Sequence, residues 1–478
     1  MTKQERMKIP RQEMPLQDKL SRRCNFEEVS LGLPEALAVK EAERCLQCKK
    51  PKCVEGCPVG VLIPQFIKAL REGNINESIR VMKIKNNLPA VCGRVCPQEN
   101  QCEGNCILGK TGEPLAIGRL ERYVGDYELS RRTCPMVKPK DIGKKAAVVG
   151  SGPAGIACAV DLGREGHKVT IFESLHSAGG VLIYGIPEFR LPKSVVHSEI
   201  DYAVQCLGIE IKTDHIIGRT VTLDELLEEY DAVFIGTGAG LPNFMKIPGI
   251  NYSGVMSANE FLTRINLMKA YRFPEYDTPV RIGERVAVIG AGNVAMDSAR
   301  CAVRLQKSIG MKSGEVHVIY RRSRDEVPAR LEEFHHAEEE GIVFDFLTSP
   351  AEILGDINGN VTGIKCIRMK LGDADSSGRK KPVPMANSEF TIDVDTVIMA
   401  LGTSPNPVVF TNNGNLRRTN DGTVVADNET GRTSRERLWA GGDVVTGSAT
   451  VISAMGAGKR AAADIHSFLM EGHSTKKN

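Results

Sequence analysis

Apolar and polar positions change rhythm about a third of the way along the chain. In the first 135 residues the apolar positions recur at helical spacing. They do so over 33–44 and again over 64–73 (PQFIKALREG), a short amphipathic stretch closed by Gly73. From about residue 144 onward, short runs of Ala, Val, Ile and Phe alternate with helical stretches, the pattern of a parallel α/β sheet. Two halves follow one plan. The first runs from strand 146–149 through a Gly-rich turn to a strand ending in Ile235-Gly236-Thr237-Gly238. The second runs from strand 286–289 through another Gly-rich turn to 397–402, and a third apolar strand, 438–443, leads into a C-terminal helix. This order predicts a duplicated dinucleotide-binding unit, with the second copy inserted before the first is complete. Residues 131–145 carry Pro, Gly and basic residues without periodicity and read as a solvated linker.

The Gly-rich turns give the halves their chemistry. Gly150-Ser151-Gly152-Pro153-Ala154-Gly155 lies between a strand and a helix, and Glu173 ends the next strand 18 residues past Gly155. That context predicts pyrophosphate at the turn and ribose hydroxyls at the acid. The second turn, Gly290-Ala291-Gly292-Asn293-Val294-Ala295, is followed by a strand ending in Tyr320-Arg321-Arg322 instead of an acid. Guanidiniums bind a 2′-phosphate that a carboxylate would repel, so NADPH is expected at this turn, with Gly402 at the end of the half's last strand. FAD is expected at the first turn, along with Thr237, Gly238, Gly442 and Asp443 from the strands that return to it. Thr450 and Val451 open a helix whose dipole suits the negative charge that gathers at a reduced flavin's pyrimidine edge.

Composition excludes several classes. With 478 residues, 41% hydrophobic and 25% charged, the chain is neither disordered nor a coiled coil. A formal net charge of +3 from 62 basic and 59 acidic residues gives no sign of a nucleic-acid protein. The N-terminal MTKQERMKIPRQEM has no apolar core and no stretch is long enough to span a bilayer, so a cytoplasmic protein without membrane contact is expected. The cysteines stand out: of 14, eight fall between Cys45 and Cys106. Their spacing is Cys45-x2-Cys48-x4-Cys53-x3-Cys57-Pro, then Cys92-x3-Cys96-Pro-x4-Cys102-x3-Cys106 after an intervening stretch. In a reducing compartment such a set holds metal. Two [4Fe–4S] clusters and two four-cysteine zinc sites use the same number of ligands; a flavin fed by hydride favours the clusters as one-electron relays. No C-x-x-C occurs after residue 57, so a flavin-linked dithiol is absent and the clusters become the expected electron route. Cys24, Cys134, Cys158, Cys206, Cys301 and Cys366 are scattered singly and read as packing residues.

The segments RCLQCKKPKCVEGCPV (44–59), VCGRVCPQENQCEGNC (91–106), GSGPAG (150–155), GGVLIYGIPEFRLPK (179–193), GAGNVAMD (290–297), YRRS (320–323) and GGDVVTGSATV (441–451) together resemble the small (β) subunit of NADPH-dependent glutamate synthase. They are equally similar to the large subunit of NADH-dependent reduced ferredoxin:NADP oxidoreductase and to the N-terminal half of dihydropyrimidine dehydrogenase. The resemblance implies that one cluster is held by Cys45, Cys48, Cys53 and Cys106. It implies that the other is held by Cys57, Cys96, Cys102 and a carboxylate, Glu121, with Cys92 left out. It also implies that Gly179, Gly180, Leu182, Gly185, Ile186 and Pro187 pass close to the FAD.

The expected fold class is therefore α/β, with two Rossmann-like dinucleotide-binding domains preceded by a small helical Fe–S domain. Residues 1–140 would hold two [4Fe–4S] clusters, 141–280 and 396–478 would form the FAD-binding domain, and 281–395 the NADPH-binding domain. The expected function is electron transfer between NADPH, FAD and two clusters to a partner redox subunit, with no side-chain acid or base needed for hydride transfer. A glutaminase nucleophile and an FMN barrel have no room in this chain, so glutamate synthesis would need a second subunit. An electron-bifurcating role with ferredoxin and a small flavoprotein partner makes nearly the same demands on the sequence. A non-redox assembly subunit with structural zinc is the alternative from another class. His335 and His336, beside Glu338–Glu340, read as a solvated helix face, and 373–382 as an exposed hairpin or loop; no Gly-x-Ser-x-Gly elbow occurs.

Overall fold

Near-continuous apolar runs need burial on both faces, and in the computed structural model they obtain it in a central parallel sheet. The structure describes residues 1–131, 137, 139–311, 313–374, 378–411 and 415–474. Strand Lys145–Val149, buried from Ala146 onward, pairs in parallel with Lys168–Phe172 on one side and Ala232–Ile235 on the other. Glu210–Lys212 and Leu438–Ala440 complete the two edges. Leu438–Ala440 joins a strand that ended about 200 residues earlier, so the insertion expected from the sequence is what the chain does. Helices Pro153–Arg164 and Val451–Ser474 pack together on one face. A Cβ on Gly458 would lie 2.1 Å from the Ala154 carbonyl oxygen, so the two helices meet backbone to backbone.

The inserted unit is a second five-stranded parallel sheet, in the order Val255–Ser257, Thr396–Met399, Arg285–Ile289, Glu315–Tyr320, Val343–Phe346. Its first and second strands lie outside the 281–395 expected for it, which corrects that boundary. The true crossings are Leu241–Pro242 and Thr403–Ser404, which pair antiparallel as a two-stranded ribbon, so the unit spans about 243–402. An antiparallel meander of Thr348–Gly355, Val361–Ala374 and Lys380–Ile392 is added to it. The sequence reading had only the hairpin around 373–382, whose tip (375–377) lies outside the described residues. Few of the meander's apolar residues are buried (Ile353, Val361, Ile364, Cys366 and Met369), and so sparse an alternation is easily missed.

Before these units come the helices Glu35–Glu43, Ile63–Arg71, Ile75–Lys83, Pro89–Val95 and Ile117–Arg131. The first two match the expected stretches, and their apolar faces share a core with Cys45 and Cys102. Of the single cysteines, Cys158, Cys301 and Cys366 are buried and Cys206 is half-buried. Cys24 is exposed, contrary to a packing role, and Cys134 lies outside the described residues.

The units are fastened by buried charge. Arg190 donates to both carboxylate oxygens of Asp297, at 2.8 and 2.7 Å, across the boundary between the two sheets. Arg300 and Arg304, from helix Asn293–Ser308, both pair with Glu340, and Arg22 from the N-terminal segment reaches the same carboxylate at 3.0 Å. This corrects the reading of the helix Leu331–Glu339 region as a solvated face. Glu333, His336 and Glu340 are buried because three units turn arginines toward them. Burial would raise Glu340, but Arg300 and Arg304 outweigh it and hold the carboxyl well below its usual range. Its contribution is therefore present at neutral pH and is lost as pH falls below that range. Glu340→Gln leaves these arginines without their shared anion and is expected to cost roughly 3–5 kcal/mol. A lowered denaturant midpoint under anaerobic conditions would show it; an unchanged midpoint would mean that the network is stabilised otherwise.

Candidate functional site

At the first turn the three glycines differ in what constrains them. Gly150 has φ +97°, and a Cβ there would meet the Gly236 carbonyl oxygen at 2.7 Å. On Gly155 a Cβ would lie 1.9 Å from the Gly150 oxygen. Both are demanded by the chain's own packing. Gly152 is different: its φ is −68°, and its chain neighbours aside, no atom of the described residues lies within 4 Å of where its Cβ would be. Gly292, at the same place in the second turn, also faces open space, whereas a Cβ on Gly290 (φ +125°) would lie 2.4 Å from the Ala400 oxygen. The fold does not explain the missing side chain at Gly152 or Gly292; both positions leave the room that close approach of a phosphate would need. Each of the two is the N-cap of a helix, Pro153–Arg164 or Asn293–Ser308, so backbone N–H groups and the helix dipole face the open position.

Glu173 ends its strand as expected, but its carboxylate is engaged locally. It accepts from the Ser151 N–H (3.0 Å), the Ser151 hydroxyl (2.5 Å) and the Leu175 N–H (2.9 Å). The acid thus anchors the Gly-rich turn as well as ending the strand. Thr237 and Gly238 (φ +68°) follow strand Ala232–Ile235, beside Gly150. Gly442, φ +78°, brings its strand end against Ala154, where a Cβ would be 2.9 Å from the Ala154 Cβ. Burial pushes Asp443 up to about 6, although the Ala449 N–H draws it down. Thr450 accepts from the Ser453 N–H (3.2 Å) where helix Val451–Ser474 begins. Gly180 (φ +56°) sits over Gly152, and the segment bearing Leu182, Gly185, Ile186 and Pro187 turns there.

The sequence reading gave no role to Lys193, which pins that segment. Its buried ammonium donates to the carbonyls of Leu182 (3.1 Å), Leu191 (3.0 Å) and Ile186. The available signal was a lysine closing a largely apolar, glycine-rich stretch, 179–193.

At the second turn Asn293 accepts from the Arg330 N–H (2.9 Å), Val294 is exposed and Ala295 is buried. Gly402 has φ +83° beside the connecting ribbon. Arg321 and Arg322 part company. Arg321 is exposed at the strand end, while Arg322 is buried, its Nε donating to the Lys380 carbonyl (2.9 Å) of the meander.

The cysteines gather in two places. Burial, with Cys106, Cys45 and Cys48 close by, pushes the Cys53 thiol up to about 12, and burial with Cys106 and Cys48 nearby raises Cys45. Gln47, at φ +50°, donates to the Cys45 sulfur at 3.3 Å. Separately, Cys57, Cys96, Cys102 and Glu121 line one cavity, with Val61, Phe66 and Ile452 among its walls. Cys92 is fully buried, its thiol against Cys96, and does not line that cavity. Among the described residues no three His, Cys, Asp or Glu side chains are set to hold a single metal ion. Soft thiolates around two centres, one with a carboxylate added, are a donor set that fits iron–sulfur clusters.

Both parts of the chain have known relatives. Residues 22–133 match the family described as dihydropyrimidine dehydrogenase domain II, 4Fe-4S cluster, and residues 144–458 match the pyridine nucleotide-disulphide oxidoreductases. The glutamate synthase [NADPH] small chain of Escherichia coli is 37% identical over 458 residues, covering 94% of this chain and 95% of that one. The chain belongs to the glutamate synthase small-chain family. The small chain of Azospirillum brasilense is 35% identical over 454 residues, 94% of this chain and 92% of its own length. The NADP(+)-dependent formate dehydrogenase subunit beta of Moorella thermoacetica is 39% identical over 444 residues, 88% of this chain, but these span only 60% of that subunit. FprA from Mycobacterium tuberculosis, solved in complex with NADPH, shares the fold at a TM-score of 0.58 and 20% identity, over 70% of this chain and 86% of its own. As a glutamate synthase small-chain homologue, the protein is an NADPH-dependent oxidoreductase with FAD and [4Fe–4S] clusters as its cofactors. Members of the family are subunits of larger enzymes, which implies a partner subunit.

The open positions at the two turns are testable. Gly292→Ala is expected to raise KM for NADPH roughly 10-fold or more, about 1.4 kcal/mol of lost binding, with FAD content and thermal midpoint unchanged. Gly155→Ala, by contrast, should lower the thermal midpoint itself. Equal midpoint losses in the two variants would refute the distinction.

Proposed function

We propose that NADPH binds at Gly290–Ala295, FAD at Gly150–Gly155 and the 179–187 segment, and the clusters at the two cysteine groups. Bound there, FAD would supply the two-electron chemistry that takes hydride from NADPH, and the clusters a one-electron relay for passing its two electrons onward. The chain's own residues position these groups and exclude water; no side chain is assigned a proton transfer. Gly152 and Gly292 let backbone N–H groups approach pyrophosphate, and Lys193 holds the loop over the first turn. The N-terminus of helix Val451–Ser474 offers a positive dipole end beside Asp443.

One observation carries the electron route. Ile452, in the first turn of that helix, also lines the cavity of Cys57, Cys96, Cys102 and Glu121. On the same helix a Cβ at Gly456 would be 3.2 Å from Val59 and 3.6 Å from the Pro58 oxygen. The Cys57 group therefore lies next to the proposed flavin site, and in this reading the Cys45 group passes the electrons on to a partner. By kinship that partner is a redox subunit, most simply a glutamate synthase large subunit. No described helix is long and apolar enough to cross a membrane, and we place the protein in the cytoplasm.

Selection of the phosphorylated nicotinamide falls to Arg321 in this reading, with Arg322 supporting it from the meander. Arg321→Ala is expected to lower the NADPH/NADH ratio of kcat/KM about 10- to 100-fold, the loss of a charge-assisted hydrogen bond worth roughly 1.5–3 kcal/mol. Arg322→Ala should act mainly through thermal stability. An unchanged ratio in Arg321→Ala would remove the assignment.

A further inference from the structure

The helix Ile117–Arg131 presents Glu121 into the cavity of the Cys57 group, but a lone carboxylate on a helix can rotate about its terminal bond. What fixes it is a residue outside every motif noted above. Asn86 lies in the connection between helices Ile75–Lys83 and Pro89–Val95, with no exposed surface. Its Oδ1 accepts from the Leu88 N–H at 2.9 Å, and its own N–H donates to the Met82 carbonyl at 3.0 Å, so the side chain has one fixed direction. Its Nδ2 donates to Glu121 Oε1 at 2.5 Å, and Glu121 is itself only 7% exposed.

The geometry points to Asn86 as the positioning residue for the carboxylate ligand: it engages Oε1 and leaves Oε2 for iron. This rests on the proposed ligand role of Glu121. An amide suits the task. It supplies a donor to a carboxylate without bringing a charge, and its oxygen is already committed to the backbone, so the amide cannot flip without losing both bonds. Outer partners of this kind orient the ligand, and their loss commonly costs 10- to 100-fold in metal affinity. Glu121 is one of the four groups on that cavity, so the effect should be confined to one of the two clusters.

The test compares Asn86→Asp, Asn86→Ala and Glu121→Ala in the anaerobically purified holoprotein. The readouts are EPR of the two clusters, their midpoint potentials, and the rate of iron loss to a ferrous chelator. Asn86→Asp keeps an acceptor for the Leu88 N–H but turns an oxygen toward Glu121, so a residue needed only for the backbone would tolerate it. The expected result is that both Asn86 variants alter the signal and potential of the cluster that Glu121→Ala alters. Half of the iron should be released about 10-fold faster, while the other cluster's signal and the FAD content stay as in the wild type. If Glu121→Ala changes a cluster and neither Asn86 variant does, Glu121 remains a ligand and the role of Asn86 is overturned. If Glu121→Ala changes neither cluster, the ligand assignment itself falls, and this inference with it. If the Asn86 variants lose FAD and both signals together, Asn86 is a structural residue only and the inference is again overturned.

Discussion

The architecture turns on one close approach, that of helix Val451–Ser474 to helix Pro153–Arg164. Gly458 allows the backbones to touch at Ala154, and Gly442 lets the preceding strand end rest on the same residue. A side chain at either point would push the last helix off the first nucleotide turn. The same helix meets Pro58 and Val59 through Gly456 and the Cys57 cavity through Ile452. Small residues along one helix therefore determine the seating of the first sheet, the shape of the first turn and the distance from that turn to the cysteines. These three features cannot vary independently.

Much of this was legible in the sequence because the signals were local. Strand, Gly-rich turn and helix follow within a dozen residues at Ala146–Gly155 and Val286–Ala295, and each glycine's place in the turn foretells its conformation. The grouping of Cys57, Cys96 and Cys102 with Glu121 came from kinship, since no spacing rule links position 57 to position 121. What stayed hidden depends on contacts between distant segments. Glu333, His336 and Glu340 look like an exposed helix face until Arg22, Arg190, Arg300 and Arg304 arrive from elsewhere. Burial of Arg322, with its Nε donating to the Lys380 carbonyl nearly 60 residues on, is equally invisible in the local sequence. Asn86 carried no motif, and its role exists only because another helix brings Glu121 to it.

Burial raises the thiols of Cys45, Cys53, Cys57 and Cys102, which lie within an apolar core. Thiolate ligation of a cluster there would release protons, so cluster binding would be favoured as pH rises. Burial likewise pushes Glu121 up to about 7, against the pull of Asn86. Cys57, Cys96, Cys102 and Glu121 thus face one cavity, with the Asn86 amide held against the carboxylate.

The ribbon of Leu241–Pro242 and Thr403–Ser404 bears on how the chain reaches this state. Strand Leu438–Ala440 must find Ala232–Ile235 across about 200 intervening residues. Once the inserted unit has folded, the ribbon holds its entry and exit side by side, and the loop still to be closed shrinks to some 40 residues. The entropic saving is on the order of 1 kcal/mol. That saving favours closure of the inserted unit before the last strand and the C-terminal helix join the first sheet, with the ribbon acting as a clasp.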